Sequence, residues 1–427
     1  MPYTFLVVGG GAREHAIANA LARRTTNHTE QQPHLPTKPP HLSTPQTVQL
    51  LVYAPNRNPA LHAIAKAYKL GKLDDAKAVT DFATQHKATH CVIGPEAPLD
   101  AAVADALLAV NVPTFGPTKK LAQIETSKGF ALDLLYKHGV AGVPRYREFD
   151  SLDGARDFLE ELGEGNYVVK ADGLCGGKGV KVAGDHLASI DEALAYCAEC
   201  LPRFVLCEKL VGQEFSLLSL CDGETLVHLP PLQDHKRAYE GDKGPNTGGM
   251  GTYSCADGLL PFLSQARLDE ARAMNVATAA ALKAEFGEPY RGVLYGGFML
   301  TARGVMLIEY NARFGDPECL NLLSLLAPSA DFAAVCAAAA EGKLASAPAL
   351  PFLPLASVCK YAVPEGYPTA AKRGFDVGLG SLASPQLAYL GSVDQPGGEG
   401  APLVAAGSRT VGVVGLAPTL DEAEAAA

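Results

Sequence analysis

Short apolar runs alternate with amphipathic stretches over the first 118 residues. The run TFLVV at residues 4–8 ends at three glycines, and apolar positions then recur at helical spacing through AREHAIANALARR. The same pattern predicts strands at 48–53, 89–94 and 112–116 and a helix at 99–110. Strands that alternate with helices at this spacing are typical of parallel β-α-β units. We therefore expect a doubly wound α/β domain over residues 1–118.

A polar stretch interrupts this pattern between the first two strands. Residues 27–47 contain five prolines and three histidines among Thr and Gln. Such a composition cannot bury apolar surface, so we expect a mobile surface insertion. The histidines could bind a metal only if the segment became ordered, and solvated side chains are the simpler interpretation.

The pattern changes after residue 118 to a mixture of helices and antiparallel strands. Helical spacing predicts helices at 119–138, 151–162 and 264–285. Apolar runs predict strands at 143–149, 167–171, 204–208 and 214–220, and a later hairpin around Ala302-Arg303-Gly304. We expect an α+β domain over 119–322 and a small C-terminal α+β domain over 323–427.

Composition and charge narrow the class of protein. The 427 residues include 36 Lys+Arg and 46 Asp+Glu, a formal net charge of −10 at pH 7. No basic tract is present, so nucleic acid is not an expected partner. The longest apolar runs fall short of the ~20 residues that cross a bilayer, and no secretory signal is recognisable. Ten cysteines in such a chain indicate reduced thiols and a cytoplasmic location, without membrane partners.

Two glycine-containing turns follow predicted parallel strands. Gly9 to Gly11 precede a helix, and their backbone N–H groups could bind a phosphate or could simply pack helix on strand. A dinucleotide fingerprint needs glycine where Glu14 stands and an acid after strand 48–53, so NAD is disfavoured. Glu96, in GPEAPL, follows another strand at the edge where such sheets bind ligands, although its prolines could equally shape a helix start.

A lysine and a glycine loop stand together in VVKADGLCGGKGV. Lys170 lies in a predicted strand, and the loop through Gly176 to Gly179 carries a second lysine. Such a loop can fold over a polyphosphate, and a plain hairpin with surface lysines is the alternative. The spacing excludes the P-loop, because no GxxxxGK[ST] precedes a helix.

Polar residues alternate with apolar ones in VMLIEYNARFGDPE. Strand periodicity places Glu309, Asn311 and Arg313 on one face. Carboxylate and amide oxygens suit Mg²⁺ with bound phosphates, and an arginine can fork onto a phosphoryl oxygen. A structural ladder of ion pairs is the alternative interpretation of this edge.

Two further segments are rich in charge or glycine. QDHKR (233–237) and GPNTGGMG (244–251) suit a clamp around a substrate, and a solvated charged turn followed by a flexible, irregular loop is the alternative.

Taken in order, seven segments resemble the family of phosphoribosylamine-glycine ligase, also called glycinamide ribonucleotide synthetase. The segments are GGGAREHA, GPEAPL, FGPTKKLAQIETSK, VKADGLCGGKGV, QDHKR, GPNTGGMG and IEYNARFGDPE. The resemblance spans nearly the whole chain. It implies an ATP-grasp enzyme of purine biosynthesis with a mobile lid at about 142–208. In that family, the glycine carboxylate takes the γ-phosphate of ATP, and the amine of 5-phosphoribosylamine then displaces phosphate from glycyl phosphate.

The resemblance also assigns roles to individual positions. The metal ligands, for Mg²⁺ or Mn²⁺, would be Glu309 and Asn311. The catalytic groups would be Arg313, Lys170 and Asp234. ATP would be held by Lys128, Lys170, Gly176, Gly177, Lys178, Gly179, Glu208, Leu210 and Glu214. Glycine and phosphoribosylamine would be held by Gly10, Gly11, Glu14, Glu96, Asp234, Lys236, Asn246, Thr247, Gly248 and Gly249.

The sequence departs from the family pattern in a few places. The insertion at 27–47 lengthens the first domain, Cys175 leads into the glycine loop, and Cys207 precedes Glu208 where two acids are usual. The chain ends at LDEAEAAA, inside what resembles the family's final helix. We therefore expect either a shortened chain or the first part of a fusion with later purine enzymes, and we expect a monomer.

Three other functions compete with this interpretation. An ATP-grasp ligase for another acid and amine is the nearest, and GPNTGGMG with QDHKR argues against it. A catalytically silent nucleotide-binding regulator would not need the intact Glu309, Asn311 and Arg313. An NAD oxidoreductase is weakened by the missing glycine and acid.

Overall fold

The computed structural model describes residues 3–23, 48–176, 179–241, 243–380 and 387–427. The expected insertion at 27–47 and two residues of the glycine loop, Gly177 and Lys178, lie outside these ranges. Within the described ranges, no helix combines the length and the apolar character needed to cross a membrane.

A parallel sheet with flanking helices forms the N-terminal part. Its elements are β1 Thr4–Val8, α1 Ala12–Ala22, β2 Gln49–Ala54, α2 Pro59–Ile64, β3 Ala67–Leu70, α3 Ala76–Gln85, β4 His90–Ile93, α4 Ala97–Asp100, α5 Val103–Ala109 and β5 Thr114–Phe115. The strand order is β3-β2-β1-β4-β5, with every pair parallel. This order confirms the doubly wound sheet, although the sequence did not predict β3.

Both faces of this sheet are buried. Alternate residues of β1 enter two different cores: Leu6 and Val8 pack into one, and Phe5 and Val7 into the other. In a central strand that is covered on both sides, the residues are apolar throughout rather than alternately apolar and polar. Strands β1 and β4 are parallel neighbours, so their carboxyl ends meet at one edge of the sheet. Gly10 and Glu96 follow these strand ends.

The prediction of one continuous helix at 99–110 is wrong in one respect. The helix is broken into α4 and α5 by Ala102, whose φ of 59° lies in the left-handed region. Alanine favours helices, so the break could not be read from this position, and tertiary packing decides it.

The central part continues with α6 Lys119–Thr126, α7 Lys128–Lys137, β6 Tyr146–Phe149, α8 Ala155–Leu162, β7 Tyr167–Ala171, β8 Val180–Val182, α9 Ile190–Glu199, β9 Phe204–Glu208, β10 Gly212–Cys221, β11 Leu226–His228, β12 Gln233–Tyr239, β13 Lys243–Ser254, α10 Gln265–Phe286, β14 Gly292–Thr301 and β15 Gly304–Asn311. Two four-stranded antiparallel sheets form here, with orders β6-β9-β7-β8 and β11-β10-β14-β15. The expected hairpins β7–β8 and β14–β15 are confirmed.

Two expectations for this part are wrong. The helix expected at 119–138 is two helices, because Ser127 is extended and accepts a hydrogen bond from Phe130 N at 3.2 Å as the N-cap of α7. The segment GPNTGGMG, expected as an irregular loop, is instead part of strand β13, and QDHKR, for which a charged turn was the alternative interpretation, lies in strand β12; the two strands pair with register shifts. Glycine is normally depleted in strands. Here it is needed, because a Cβ at Gly251 would meet the carbonyl of Cys359 on the neighbouring strand.

The C-terminal part comprises α11 Glu318–Ser324, α12 Phe332–Glu341, a 3-10 turn at Leu344–Ser346, β16 Ala356–Ala362, β17 Ala388–Leu390, β18 Val393–Asp394, β19 Val404–Ala405, β20 Val411–Ala417 and α13 Leu420–Ala426. Its main sheet has the order β12-β13-β16-β20-β17. Strands β12 and β13 thus join the C-terminal sheet, which brings both QDHKR and GPNTGGMG beside the end of β15.

Candidate active site

The end of β15 carries two of the predicted site residues on one face. Glu309 and Asn311 are two residues apart in the strand, so their side chains point the same way. The register with β14 shifts at Ile308. The carbonyl of Ile308 accepts a hydrogen bond from Nζ of Lys170 on β7 at 2.7 Å. The two antiparallel sheets of the central part therefore meet at this edge.

Positive charges surround the Glu309 carboxylate. Burial alone would raise the pKa of Glu309, but Lys236, Lys170 and Lys128 outweigh burial and hold that pKa below its ordinary value. Lys128 also donates to the carbonyl of Gly173 at 2.9 Å. Glu309 is therefore an ionised, half-buried acid, and the ionised state is the one that a cation ligand requires.

Arg313 lies between carboxylates from two different parts of the fold. Its Nη2 is 2.9 Å from Glu125 Oε1, and its Nε is 3.5 Å from Glu96 Oε2. Nη2 also donates to Oδ1 of Asn311 at 3.0 Å. Burial disfavours the charge on Arg313, yet Glu125 and Glu96 hold its pKa above the ordinary value. Sequence analysis assigned no role to Glu125, although this residue stands in the segment LAQIETSK.

Lys236 and two acids form a second, half-buried cluster beside Glu309. Nζ of Lys236 contacts the carboxylate of Glu214 and lies 3.8 Å from Oδ2 of Asp234. Burial opposes its charge, but Asp234, Glu214 and Glu309 hold the pKa of Lys236 well above its usual range. Oδ1 of Asp234 is buried and has no hydrogen-bond partner in the described parts of the chain. Such an unsatisfied acceptor is costly and suits a ligand that donates a hydrogen bond.

The residue Glu318, which the sequence did not single out, lies near this cluster. Its carboxylate is buried and accepts a hydrogen bond from the Tyr295 hydroxyl at 2.9 Å. That hydroxyl is also 2.8 Å from Oγ of Ser216. Burial raises the pKa of Glu318.

A cavity of about 430 Å³ opens beside β13. Among its lining residues are Gly176, Asn246, Thr247, Gly248, Arg373 and Arg409. Arg409 donates to the carbonyls of Gly248 at 2.8 Å and Gly249 at 3.0 Å, and its Nη2 lies 3.3 Å from Asp316. The cavity therefore unites part of the glycine loop, β13 and two C-terminal arginines.

The N-terminal glycines are held tightly by their own neighbours. The N–H of Gly11 donates to Glu14 at 2.7 Å, and Nε of Arg13 lies 2.7 Å from the same carboxylate. Arg13 also donates to the carbonyl of Phe314 at 3.1 Å. The carbonyl of Gly10 accepts from Asn58 at 3.1 Å. Glu14 is thus engaged within the protein, and this turn reaches the end of β15 through Arg13.

The expected adenine-binding segment lies at the other end of the central sheets. Glu208 closes β9, and its Oε1 accepts from Arg145 N at 2.9 Å and from Arg303 at 2.8 Å. Leu210 follows in the connection to β10, which carries Glu214.

The glycine loop is anchored at its far end. The carbonyl of Gly179 accepts a hydrogen bond from the N–H of Ala171, the last residue of β7, at 2.8 Å.

Comparisons with known proteins place this geometry in a family. A family model described as "Phosphoribosylglycinamide synthetase, N domain" matches residues 40–125, and one described as "Phosphoribosylglycinamide synthetase, ATP-grasp (A) domain" matches residues 126–319. The phosphoribosylamine-glycine ligase of Methanopyrus kandleri is 40% identical over 99% of this chain and 91% of the relative. That of Methanococcus maripaludis strain C5 is 42% identical over 98% of this chain and 91% of the relative. The chain belongs to the phosphoribosylglycinamide synthetase family.

Solved structures show the same fold for the family. The crystal structure of phosphoribosylamine-glycine ligase from Thermotoga maritima has a TM-score of 0.78 at 24% identity, covering 99% of this chain and 94% of that one. N5-carboxyaminoimidazole ribonucleotide synthetase from Thermus thermophilus has a TM-score of 0.63 at 16% identity, covering 99% and 96% of the two chains. The sheets β6-β9-β7-β8 and β11-β10-β14-β15 are therefore the two sheets of an ATP-grasp fold.

Proposed function

We propose that this chain is an ATP-dependent carbon-nitrogen ligase of purine biosynthesis. It joins glycine to 5-phosphoribosylamine and gives glycinamide ribonucleotide, ADP and phosphate. Family membership and the names of the relatives support this reaction. The single observation that carries it is the ionised, half-buried Glu309, which lies in the positive field of Lys170, Lys128 and Lys236 where two sheets meet.

We propose that Glu309 and Asn311 hold a divalent cation, Mg²⁺ or Mn²⁺. Hard oxygen ligands of this kind suit both ions, and the lowered pKa of Glu309 keeps its carboxylate charged. In the described residues, no group of three or more acidic, His or Cys side chains is placed to hold a metal. Phosphate oxygens of the nucleotide would complete the coordination, and the bound cation would neutralise their charge.

Lys170, Lys128 and Arg313 would neutralise and align the phosphates of ATP. A carboxylate is a poor electrophile, so we propose that the glycine carboxylate first takes the γ-phosphoryl group and forms glycyl phosphate. Arg313 would donate to the phosphoryl oxygens in the transition state. The amine of phosphoribosylamine would then attack the acyl carbon, and phosphate would leave. Asp234, whose buried Oδ1 has no hydrogen-bond partner among the described residues, would accept a hydrogen bond from an amine and orient it.

The cavity beside β13 suits the phosphate end of phosphoribosylamine. Arg373 and Arg409 supply positive charge at its wall, and Asn246 and Thr247 supply polar groups. The sugar would contact the edge of the N-terminal sheet, at Gly10, Gly11 and Glu96. Adenine would lie against the segment from Glu208 to Leu210.

We also propose domain boundaries at 118/119 and 322/323, with a lid at about 142–208. All strands of the parallel sheet precede residue 118, and the sheet β6-β9-β7-β8 lies within 142–208. The family models divide the chain nearby, between residues 125 and 126.

Release of ADP, measured with each substrate omitted in turn, tests the proposed reaction. We expect release to require ATP, glycine, phosphoribosylamine and a divalent cation together. Release that depends on another acid or amine from a substrate panel would identify a different ATP-grasp ligase. Nucleotide binding without any turnover would instead indicate a regulatory protein.

A further inference from the structure

Glu125, at the end of α6, makes two contacts to the chain that follows β15. Its Oε2 accepts a hydrogen bond from the backbone N–H of Ala312 at 2.7 Å. Its Oε1 lies 2.9 Å from Nη2 of Arg313. One carboxylate therefore fixes both a backbone position and the guanidinium that follows it.

The two acids that face Arg313 differ in how firmly they can hold it. The Glu125 side chain is only 6% exposed, whereas that of Glu96 is 33% exposed. Glu96 also lies farther away, at 3.5 Å from Nε. Breaking a buried ion pair with short contacts costs far more than breaking a longer one that is partly exposed. Glu125 is thus the fixed partner of Arg313, and Glu96 is the exchangeable one.

The position of Arg313 also bears on the metal site. Nη2 of Arg313, the atom that Glu125 contacts, donates to Oδ1 of Asn311 at 3.0 Å. The Ala312 N–H, which Glu125 also binds, lies between these two residues in the chain. Glu125 therefore holds the segment from Asn311 to Arg313 through the Ala312 N–H and the Arg313 guanidinium.

We propose that Glu125 is a positioning residue that aims the Arg313 guanidinium at the transferring phosphoryl group. This inference rests on the proposed function. Glu125 does not touch ATP or glycine in this scheme. When phosphate oxygens arrive, Arg313 exchanges its contact with Glu96 for them and keeps its contact with Glu125. Pre-alignment of this kind matters mainly in the transition state, where an arginine gains most from correct placement.

The direct test is Glu125→Gln, which keeps the size of the side chain and an acceptor for Ala312 N but removes the charge. We expect kcat for ADP release to fall at least tenfold. The affinity for Mg-ATP, measured by calorimetry, should change less than threefold. The matched control is Glu288→Gln, an acid 35% exposed beside Lys120, which should leave both quantities unchanged. Unchanged kcat in Glu125→Gln would overturn the proposal.

A double variant separates positioning from general structural support. In an Arg313→Lys background, Glu125→Gln should cost less than a further twofold in kcat, because the guanidinium that Glu125 aims is gone. An equal loss in both backgrounds would mean that Glu125 acts elsewhere and would also overturn the proposal. If Glu125→Gln does not fold, Glu125→Asp serves the same comparison, since it keeps the charge but is one methylene shorter.

Failure of the proposed function is distinguishable from failure of this inference. If the proposed function fails, ADP release by the unaltered protein will not require glycine and phosphoribosylamine. A crystal structure of Glu125→Gln would then still show whether Glu125 positions Arg313. A displaced Arg313 guanidinium supports positioning by Glu125, and an unmoved one refutes it.

Discussion

At the scale of single residues, the charge of Glu309 is the property on which the proposed metal site depends. Glu309→Gln preserves the volume of this half-buried side chain but removes its charge. We expect Mg²⁺-dependent ADP release to fall at least about 100-fold, because fixed charges at a phosphoryl-transfer site contribute effects of this size. The fold should persist, as judged by circular dichroism. Turnover like that of the unaltered protein would refute the metal assignment.

Asp234 offers a second prediction at this scale. Its buried Oδ1 lacks a partner in the described residues, so the carboxylate costs stability until a ligand arrives. Asp234→Asn should therefore leave Tm unchanged or higher while kcat/KM for phosphoribosylamine falls at least about tenfold. Thermal unfolding and steady-state kinetics measure the two effects. A lowered Tm with normal kinetics would show that Asp234 is structural.

Sequence reasoning identified residues whose chemistry is visible in a local pattern. Glu309 and Asn311 share strand β15, so their common face follows from a spacing of two, whereas Arg313 lies two residues beyond the end of that strand. Glu125 could not be found in this way, because its partner Ala312 is 187 positions away in the chain. Arg409 is separated by 161 positions from the carbonyl of Gly248 that it binds. Contacts of this kind depend on how sheets and helices are assembled.

At the scale of elements, the break between α6 and α7 is the feature that places Lys128. Ser127 caps α7, and its Oγ also donates to Oδ2 of Asp172 at 3.0 Å, after strand β7. Ser127→Ala should lower stability by about 1 kcal/mol through loss of the cap. It should also raise KM for ATP several-fold, since Lys128 is the next residue in the chain.

The matched control for Ser127 is Ser264, the N-cap of α10, whose Oγ accepts from Arg267 N at 3.4 Å. Ser264→Ala should cost a comparable amount of stability and leave KM for ATP unchanged. Chemical denaturation and initial rates measure the two properties. Equal kinetic effects in both variants would show that the α6–α7 break does not position Lys128.

The prediction of helices and strands succeeded in segments with a clear hydrophobic periodicity, and it failed in a segment rich in glycine. The β14–β15 hairpin and the long helix α10 follow directly from their apolar spacing. Strand β13 does not, because its glycines lack the side chains that normally indicate a strand. Its pairing with β12 and β16 compensates for their absence, and such pairing is not visible in a local segment.

In the molecule as a whole, three sheets converge on the segment from Ile308 to Asp316. The N-terminal sheet reaches it through Glu96, and the sheet β6-β9-β7-β8 reaches it through Lys170. The C-terminal sheet reaches it through Arg409. The substrates proposed for the three parts would therefore meet at one place, although their binding residues are spread from Gly10 to Arg409.

Contacts between distant parts of the chain also make stability depend on pH. His15, on α1, accepts a hydrogen bond at Nδ1 from the N–H of Leu390 on β17 at 3.0 Å. This contact requires a neutral ring, and burial lowers the pKa of His15 to about 4. Burial also lowers the pKa of His228 to about 4. Each ring is therefore protonated more readily in the unfolded chain than in the folded one.

Between about pH 6.5 and pH 4, the unfolded chain binds more protons at these two sites, so acidification favours unfolding. As the pH falls through this window, the buried His15 should lower the free energy of unfolding by about 1.4 kcal/mol per pH unit. His228 is only partly buried, so solvent screening should make its contribution smaller. The variant His15→Asn retains a hydrogen-bond acceptor and does not titrate. As the pH falls, its free energy of unfolding should therefore decrease less steeply than that of the unaltered protein, by about 1.4 kcal/mol per pH unit. Denaturant unfolding at several pH values measures the slope, with His138→Asn, a surface change beside Glu285, as the control. If His15→Asn follows the slope of the unaltered protein, the contact between α1 and β17 does not control its acid sensitivity.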